Sequence, residues 1–431
     1  MKRHPTIVAL LVLVGMLLGL ASAQTLRYFS WETNIPEETA ALIAEFEAMH
    51  PGVSIDFEAL PPDQYWPRMS AMAAANNLPD VFYMSSGFIF EWQANGLLAN
   101  LQSYVDGMDL DDYFSGVLAT TRFPSPETGD VHAVPINWVG PVLYYNQDAF
   151  DEAGLEYPND DWTWDDFLAA ATALTVDKTG NGRIDQWGFW LYGRYAQIEP
   201  WIYQNGGRLL NEARTRLEVD DAARETLQFL TDLVNVHEVA PRPQEMEGIR
   251  QQDVFPLGLA AMWVDGSWNI SNNRSITGDQ FQWNIAMIPS GPSSEERIGY
   301  TWPDMLAIAN GSEHEELAWE FVEFMTGPGR PAETFLGGTV PFFRPTAESE
   351  AWLEPGLQPA DKGVVLQLGG LPTRTSFTPN WSEWRGYGAA EGGGMNGELD
   401  LVFNGRKTLD EAIEVFVDYG NQVLSRTYPQ P

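Results

Sequence analysis

GDVHAVPINWVGPVLYYNQDAFDEAGLEYPNDDWTWDDF (residues 129–167) decides how the chain is laid out. Residues 131–134 read as a short apolar strand entering a turn at Pro135. Residues 141–145 read as a second apolar strand, closed by Asn146. Gln147 to Ala153 then reads as a short helix stopped by Gly154, and 162–167 opens a longer one. Thr163 is its predicted N-cap, with Asp165 and Asp166 in the first turn, where negative charge suits the helix dipole. No catalytic set is present in this stretch. It reads as a crossover, by which the chain leaves one α/β unit and enters another. Ligands of open α/β sheets sit at such strand-end crevices and at domain interfaces.

Outward from the crossover, strands and helices alternate. Upstream, 25–30 is a strand, and Pro36 suits the first turn of a helix in which Leu42, Phe46 and Met49 recur at helical spacing. His50-Pro51-Gly52 ends it. Strands follow at 53–60 and 78–83, with helices at 65–76 and 88–95. The alternation predicts a doubly wound α/β lobe. Downstream, 187–191 is a strand and 192–197 an aromatic-rich loop. A helix starts at Pro200, and 220–236 is amphipathic. Strands at 255–264 and 281–288 complete a second unit. Residues 299–309 read as a return to the first unit, followed by a helix at 314–326. Another crossing begins at 337–344. The remainder reads as helices with glycine-rich joins, ending in an amphipathic helix at 408–424. Residues 386–397 are too glycine-rich to assign.

The spacing Gly129-x5-Pro135-x7-Leu143-x-Tyr145-Asn146-x3-Phe150-x2-Ala153-Gly154-Leu155, followed by Thr163-Trp164-Asp165-Asp166-Phe167, resembles the extracellular solute-binding proteins of sugar ABC importers, the maltose-binding-protein-like group. The resemblance extends over nearly all of 24–424. It takes in Pro79-Asp80-Val81, Gly258-x-Ala260-Ala261-Met262 with Gly266-x-Trp268, and Ala318-Trp319-Glu320-Phe321. It implies a two-lobed periplasmic-binding-protein fold (type II) of the α/β class, with lobes joined by crossover hinge segments. The expected division is 24–136 plus 300–342 for one lobe and 137–299 plus 343–431 for the other. The implied function is capture of a mono- or small oligosaccharide by hinge closure and delivery to ABC permease subunits.

Composition narrows the setting. Lys2 and Arg3, the apolar run 7–20 and Ala21-Ser22-Ala23 form a predicted signal peptide over 1–23, too short to span a membrane comfortably. No later stretch is apolar enough for a span. The chain has no cysteine, so it forms no disulfide and lacks the lipid-anchor Cys of many binding proteins. The expectation is a free periplasmic monomer with no membrane insertion after cleavage. A formal charge of −36 repels nucleic acid and anionic membranes. The 17 Trp, 15 Tyr and 22 Phe give ample material for stacking on sugar C–H faces while polar groups bond the hydroxyl edge.

Strand ends and crossover loops nominate the ligand site. They are Trp31 and Glu32 after the first strand, Ser85 and Ser86 after the third, and Trp138 in the crossover. Tyr192 and Tyr195 follow 187–191, Asp265 and Trp268 follow 258–264, and Trp302 and Asp304 lie at the return crossing. Trp381, Trp384 and Arg385 occupy the late segment. The resemblance implies aromatic platforms near Tyr195, at Trp268 and at the Trp381/Trp384 pair, with Trp268 and Trp384 the best matched. Removing either of these two is expected to weaken binding more than about tenfold without unfolding the protein. Met84-Ser85-Ser86 stands where the family's maltose binders carry an aromatic, which argues for another sugar.

No cofactor is required by this reading. A candidate calcium loop has Asp177, Thr179, Asn181, the Arg183 carbonyl and Asp185 at its ligand positions, with Gly182 at the sharp turn, but Gly188 stands where a bidentate Glu belongs. A hydrogen-bonded turn is the alternative. The competing function is a secreted glycoside hydrolase with two carboxylates about the scissile bond. A polyol, glycerophosphodiester (held by Arg385) or peptide ligand on the same fold is the milder alternative. The chain carries no Gly-x-Ser-x-Gly elbow and no phosphate-binding Walker motif.

Overall fold

The computed structural model describes residues 24–32, 37–126, 128–294, 296–335, 337–386 and 394–427. The predicted leader 1–23, the Pro36 helix start and 387–393 of the glycine-rich segment lie outside the described residues. Twelve strands occur among the described residues: β1 Gln24–Ser30, β2 Val53–Ala59, β3 Val81–Ser85, β4 Arg122–Phe123, β5 Asp130–Val131, β6 Ala133–Val139, β7 Pro141–Asn146, β8 Trp187–Trp190, β9 Ala260–Gly266, β10 Trp283–Ala286, β11 Trp302–Ile308 and β12 Val340–Pro341.

They form a six-stranded sheet in the order β12-β6-β11-β3-β1-β2 and a four-stranded sheet in the order β10-β7-β9-β8. A small antiparallel pair, β4 and β5, stands apart. β1 runs parallel to β2 and β3, while β11 runs antiparallel to β3 and β6. In the second sheet β7 is antiparallel to β9 and β10, and β8 is parallel to β9. Gly140 alone separates β6 of one sheet from β7 of the other. A Cβ there would lie 2.5 Å from Leu368 Cδ1, so a larger residue would have to push the crossing off its packing. Ser267 ties this crossing to another: its N–H donates to the Gly140 carbonyl at 2.8 Å and its hydroxyl to the Gly338 carbonyl at 2.7 Å.

Local chemistry explains the elements. Asn146 caps the helix Gln147–Ala153 by accepting from the Ala149 N–H, and Gly154 ends it with φ 67°. Thr163 and Asp166 form a reciprocal capping box at the start of Trp164–Ala173. Leu26, Tyr28, Val81, Phe82, Tyr83 and Met84 are buried under the first sheet, and Trp190, Met262, Trp263 and Val264 under the second. No helix among the described residues is long and apolar enough to cross a membrane.

Two expectations change. Pro135 is not a turn; β6 runs straight through it to Val139. Proline lacks an N–H for the ladder, and Pro135 sits where the register of β11 shifts, between Asp304 and Met305, so the irregularity falls where the donor is missing. The helix expected from Pro200 starts earlier, at Tyr195, and all ten residues of Tyr195–Gln204 are buried. Burial on every side overrides the proline signal.

Candidate functional site

The strand directions bring one end of each sheet together. In the first sheet the register pairs Asp304 with Ser85, Trp302 with Val139 and Val340 with Trp138. The ends of β3 and β6 and the start of β11 therefore share an edge. In the second sheet Pro141 pairs with Gly266, and β8 runs with β9, so the segments after Trp190 and Gly266 emerge where β7 begins.

A cavity of about 340 Å³ lies between these edges. The first sheet lines it with Ser85, Ser86, Gly87 and Phe88 after β3, with Val139, with Trp302 and Asp304 on β11, and with Thr339. The second contributes Arg194, Tyr195 and Trp268, and the late segment adds Phe377 and Trp381. Its aromatic wall is continuous. Ring centroids are 5.1 Å apart for Trp268–Trp302, 5.4 Å for Tyr195–Trp302, 5.2 Å for Tyr195–Trp381 and 5.0 Å for Phe377–Trp381. The same lining carries the polar groups of Ser85, Ser86, Thr339 and Asp304.

Arg194 bridges the two kinds of surface. Its guanidinium lies 5.3 Å over Trp268 and 5.6 Å over Tyr195, and its Nη1 donates to Asp265 Oδ2 at 3.3 Å. Asp265 is fully buried, accepts from the Gly266 N–H at 2.6 Å and from Gln197 Nε2 at 3.3 Å, and so holds Arg194 from behind. Burial pushes the Asp265 carboxyl up, and Arg194 pulls it part of the way back.

Asp304 is the carboxylate that faces the cavity, and it makes no side-chain hydrogen bond to a described residue. Burial pushes it up to about 7, and the nearby charge of Glu32 adds to the effect. Below about 7 the folded carboxyl keeps a proton that an unfolded one has lost, so this group's contribution to stability is present at low pH and fades as pH rises through about 7. Hydrogen bonds donated by a ligand favour the ionised form. Affinity for a hydroxylated ligand is expected to rise from about pH 6 to about pH 8 and to be flat in Asp304→Asn. A flat calorimetric profile in the wild type would contradict this role.

The remaining nominees are not part of the cavity lining. Trp31 packs on Tyr65, Trp66 and Tyr83, and Glu32 faces Arg330 at 3.9 Å. Trp138 is buried edge-on to Phe114, because β6 continues through it instead of turning. Tyr192 stacks on Trp190, and its hydroxyl meets Arg194 Nη1 at 3.4 Å. Trp384 is 0% exposed and donates to Thr378 Oγ1 at 2.8 Å. It sits three residues after Trp381 on the short helix Trp381–Arg385, facing the core while Trp381 lines the cavity. Trp384→Ala is therefore expected to act on folding, where the sequence suggested binding loss alone. Arg385 is also 0% exposed, pairs with buried Glu199, Nε to Oε1 at 2.8 Å, and is not in the cavity lining, so its burial keeps it from a phosphodiester there. Sequence reasoning missed Arg194, Phe88, Thr339 and Phe377. A cation placed just before Tyr195 was the visible signal for the first.

Gly266 sets the pose of Trp268. A Cβ at Gly266 would lie 2.1–2.3 Å from three Trp268 ring atoms. With φ at −67°, alanine's backbone is unstrained there, and the indole is the nearest group that must give way. Gly266→Ala is expected to weaken binding about fivefold or more with the fold retained, read by calorimetry and melting. Unchanged affinity would mean that the indole pose does not matter.

The 177–185 loop closes on itself. Asp177 accepts the N–H groups of Gly180, Asn181 and Gly182, which together hold its carboxyl below the usual range, and Asp185 accepts from Thr179. Asn181 Oδ1 accepts the Arg183 N–H. Among the described residues no three His, Asp or Glu side chains converge to hold a metal.

Comparison with known proteins places these features in context. The sequence profile of the bacterial extracellular solute-binding proteins matches residues 31–330. A Brucella abortus protein assigned as a binding protein is 23% identical over 284 residues, covering 65% of this chain and 66% of its own length, just under two thirds. The sn-glycerol-3-phosphate-binding periplasmic protein UgpB of Escherichia coli is 22% identical over 443 residues, covering 95% of each chain. Among solved structures, the sugar-binding protein MalE of Xanthomonas citri superposes with a TM-score of 0.77 at 22% identity, covering 94% of this chain and 98% of that one.

Proposed function

We infer the function from one premise: this chain belongs to the bacterial extracellular solute-binding protein family. On that premise we propose that it captures a mono- or small oligosaccharide in the cavity between its two sheets. The periplasm is the compartment we assign, with an ABC permease as the acceptor. The observation that carries the sugar reading is a continuous aromatic wall lining the same cavity as hydroxyl and carboxylate groups. A pyranose has apolar C–H faces and a hydroxyl rim, and each finds its complement across about 340 Å³. The name of the Xanthomonas relative supports a sugar. The lobes follow the sheets, with crossings near 140, 299 and 338 as hinges that close on the ligand.

Only one carboxylate, Asp304, lines the cavity among the described residues. A glycosidase of either stereochemical class ordinarily needs two, so binding without turnover is the better account. A thermal-shift screen against mono-, di- and trisaccharides, polyols and glycerophosphodiesters tests it, with each mixture assayed afterwards for breakdown. A saccharide that raises the melting temperature and is recovered intact supports capture. Breakdown products would transfer the case to a hydrolase, and a shift with polyols or phosphodiesters alone would overturn the sugar.

A further inference from the structure

A second cavity, of about 430 Å³, lies beside the first. Among the described residues three arginines line it, Arg208, Arg214 and Arg374, against one acid, Glu212. In a chain of 24 basic and 60 acidic residues, such a local excess of positive charge runs against the composition. The hydroxyls of Ser125 and Thr128, from the loop between β4 and β5, complete the wall from the other side.

Two of the guanidiniums are held in place. Arg214 takes a left-handed backbone, φ 57°, that an arginine adopts only where its surroundings impose it. Its head donates to the Thr375 and Phe377 carbonyls at 2.8 and 2.6 Å and lies 5.5 Å over the Phe90 ring. Arg374 Nη1 donates to the Gly206 carbonyl at 2.8 Å. The other N–H groups of this guanidinium have no partner among the described residues. Arg208 is exposed, and its side chain pairs with no described residue. Glu199 lies behind Ser376 but is compensated by Arg385, so it does not cancel this charge.

The two cavities share one stretch of chain. Thr375 and Ser376 line the second and Phe377 the first, and successive Cα atoms are only about 3.8 Å apart. Trp381, on the aromatic wall, donates through Nε1 to Ser376 Oγ at 2.9 Å. Segment 375–377 thus borders both cavities.

We propose that the arginine cavity is an anion-recognising subsite that reads a carboxylate or phosphate substituent on the saccharide. This rests on the sugar reading above. Planar guanidiniums match both oxyanions by paired N–H donation, and fixed heads lose little freedom on binding.

Calorimetry tests it with four probes: a neutral disaccharide, the aldobionic acid made from it, its phosphate ester, and inorganic phosphate alone. The expected result is that at least one acidic sugar binds about tenfold or more tighter than its neutral parent. The preference should fall below about threefold in Arg208→Gln and in Arg208→Gln/Arg374→Gln, while the neutral sugar changes by less than about twofold. Arg208→Gln alone guards against misfolding, because that side chain is exposed and unpartnered. A neutral parent that binds equally well, a preference that survives both variants, or phosphate that binds without any gain for the acidic sugars would overturn the subsite and leave the sugar reading intact. Failure of every sugar to bind would overturn both.

Discussion

Arg385→Ala is expected to destabilise the protein by about 3–5 kcal/mol, read as a lowered urea midpoint. The cause is an uncompensated buried charge. Glu199 and Arg385 are both fully buried, and Glu199 Oε2 also accepts from Tyr300 at 2.6 Å, Ser376 at 2.7 Å and Tyr203 at 3.0 Å. Removing the cation leaves this carboxylate in the interior with neutral donors only. The double variant Glu199→Gln/Arg385→Met should recover much of the loss, since replacing a buried pair together is often close to neutral. The cluster also ties the helix Tyr195–Gln204, which carries Tyr195, to the helix Trp381–Arg385, which carries Trp381. Ligand affinity should therefore fall with stability in the single variant. An unchanged midpoint in Arg385→Ala would refute the view that this pair holds the two helices together.

Trp268→Ala should do the opposite: a large loss of affinity with little loss of fold. Its indole is only partly buried and stands on the cavity wall. A stacked ring adds about 0.5–1.5 kcal/mol beyond the area it buries, and each 1.4 kcal/mol is about tenfold. With the buried area included, the loss should lie between about tenfold and a hundredfold. Trp384→Ala is the contrast. That ring is inside the core, and its truncation should cost about 3–5 kcal/mol of stability. Calorimetry paired with melting curves separates the two. Wild-type affinity in Trp268→Ala would remove this residue from the site.

Much of the frame was legible in 129–167. The capped helices at 147 and 164 and the passage at Gly140 follow from Asn146, Gly154, Thr163 and the run of apolar residues on either side. What escaped is what sequence periodicity does not encode. Pro135 looked like a turn because a missing N–H usually ends a strand, but here it coincides with a register shift in the neighbour. Asp265 looked like a loop residue, yet β9 runs on to Gly266 and seals it inside. Trp381 and Trp384 are three residues apart on one short helix, and only packing against the helix Leu409–Leu424 decides which one is core. Ser85, Ser86, Tyr195, Trp268, Trp302 and Asp304 were nominated from strand ends and crossings, with the resemblance adding weight at Tyr195 and Trp268, and one cavity lining holds all six.

The central claim is that the ligand sits between the aromatic wall and the Ser85–Asp304 edge. The absence of cysteine makes a direct test simple. Ser85→Cys places a lone thiol at the cavity, and Ser103→Cys places one on an exposed surface outside the cavity lining. Labelling of each with a maleimide is timed with and without the saccharide found by thermal shift. The account predicts that saturating sugar slows labelling at position 85 by about tenfold or more and leaves position 103 unchanged. Equal rates at position 85, in a variant that still binds the sugar, would contradict it.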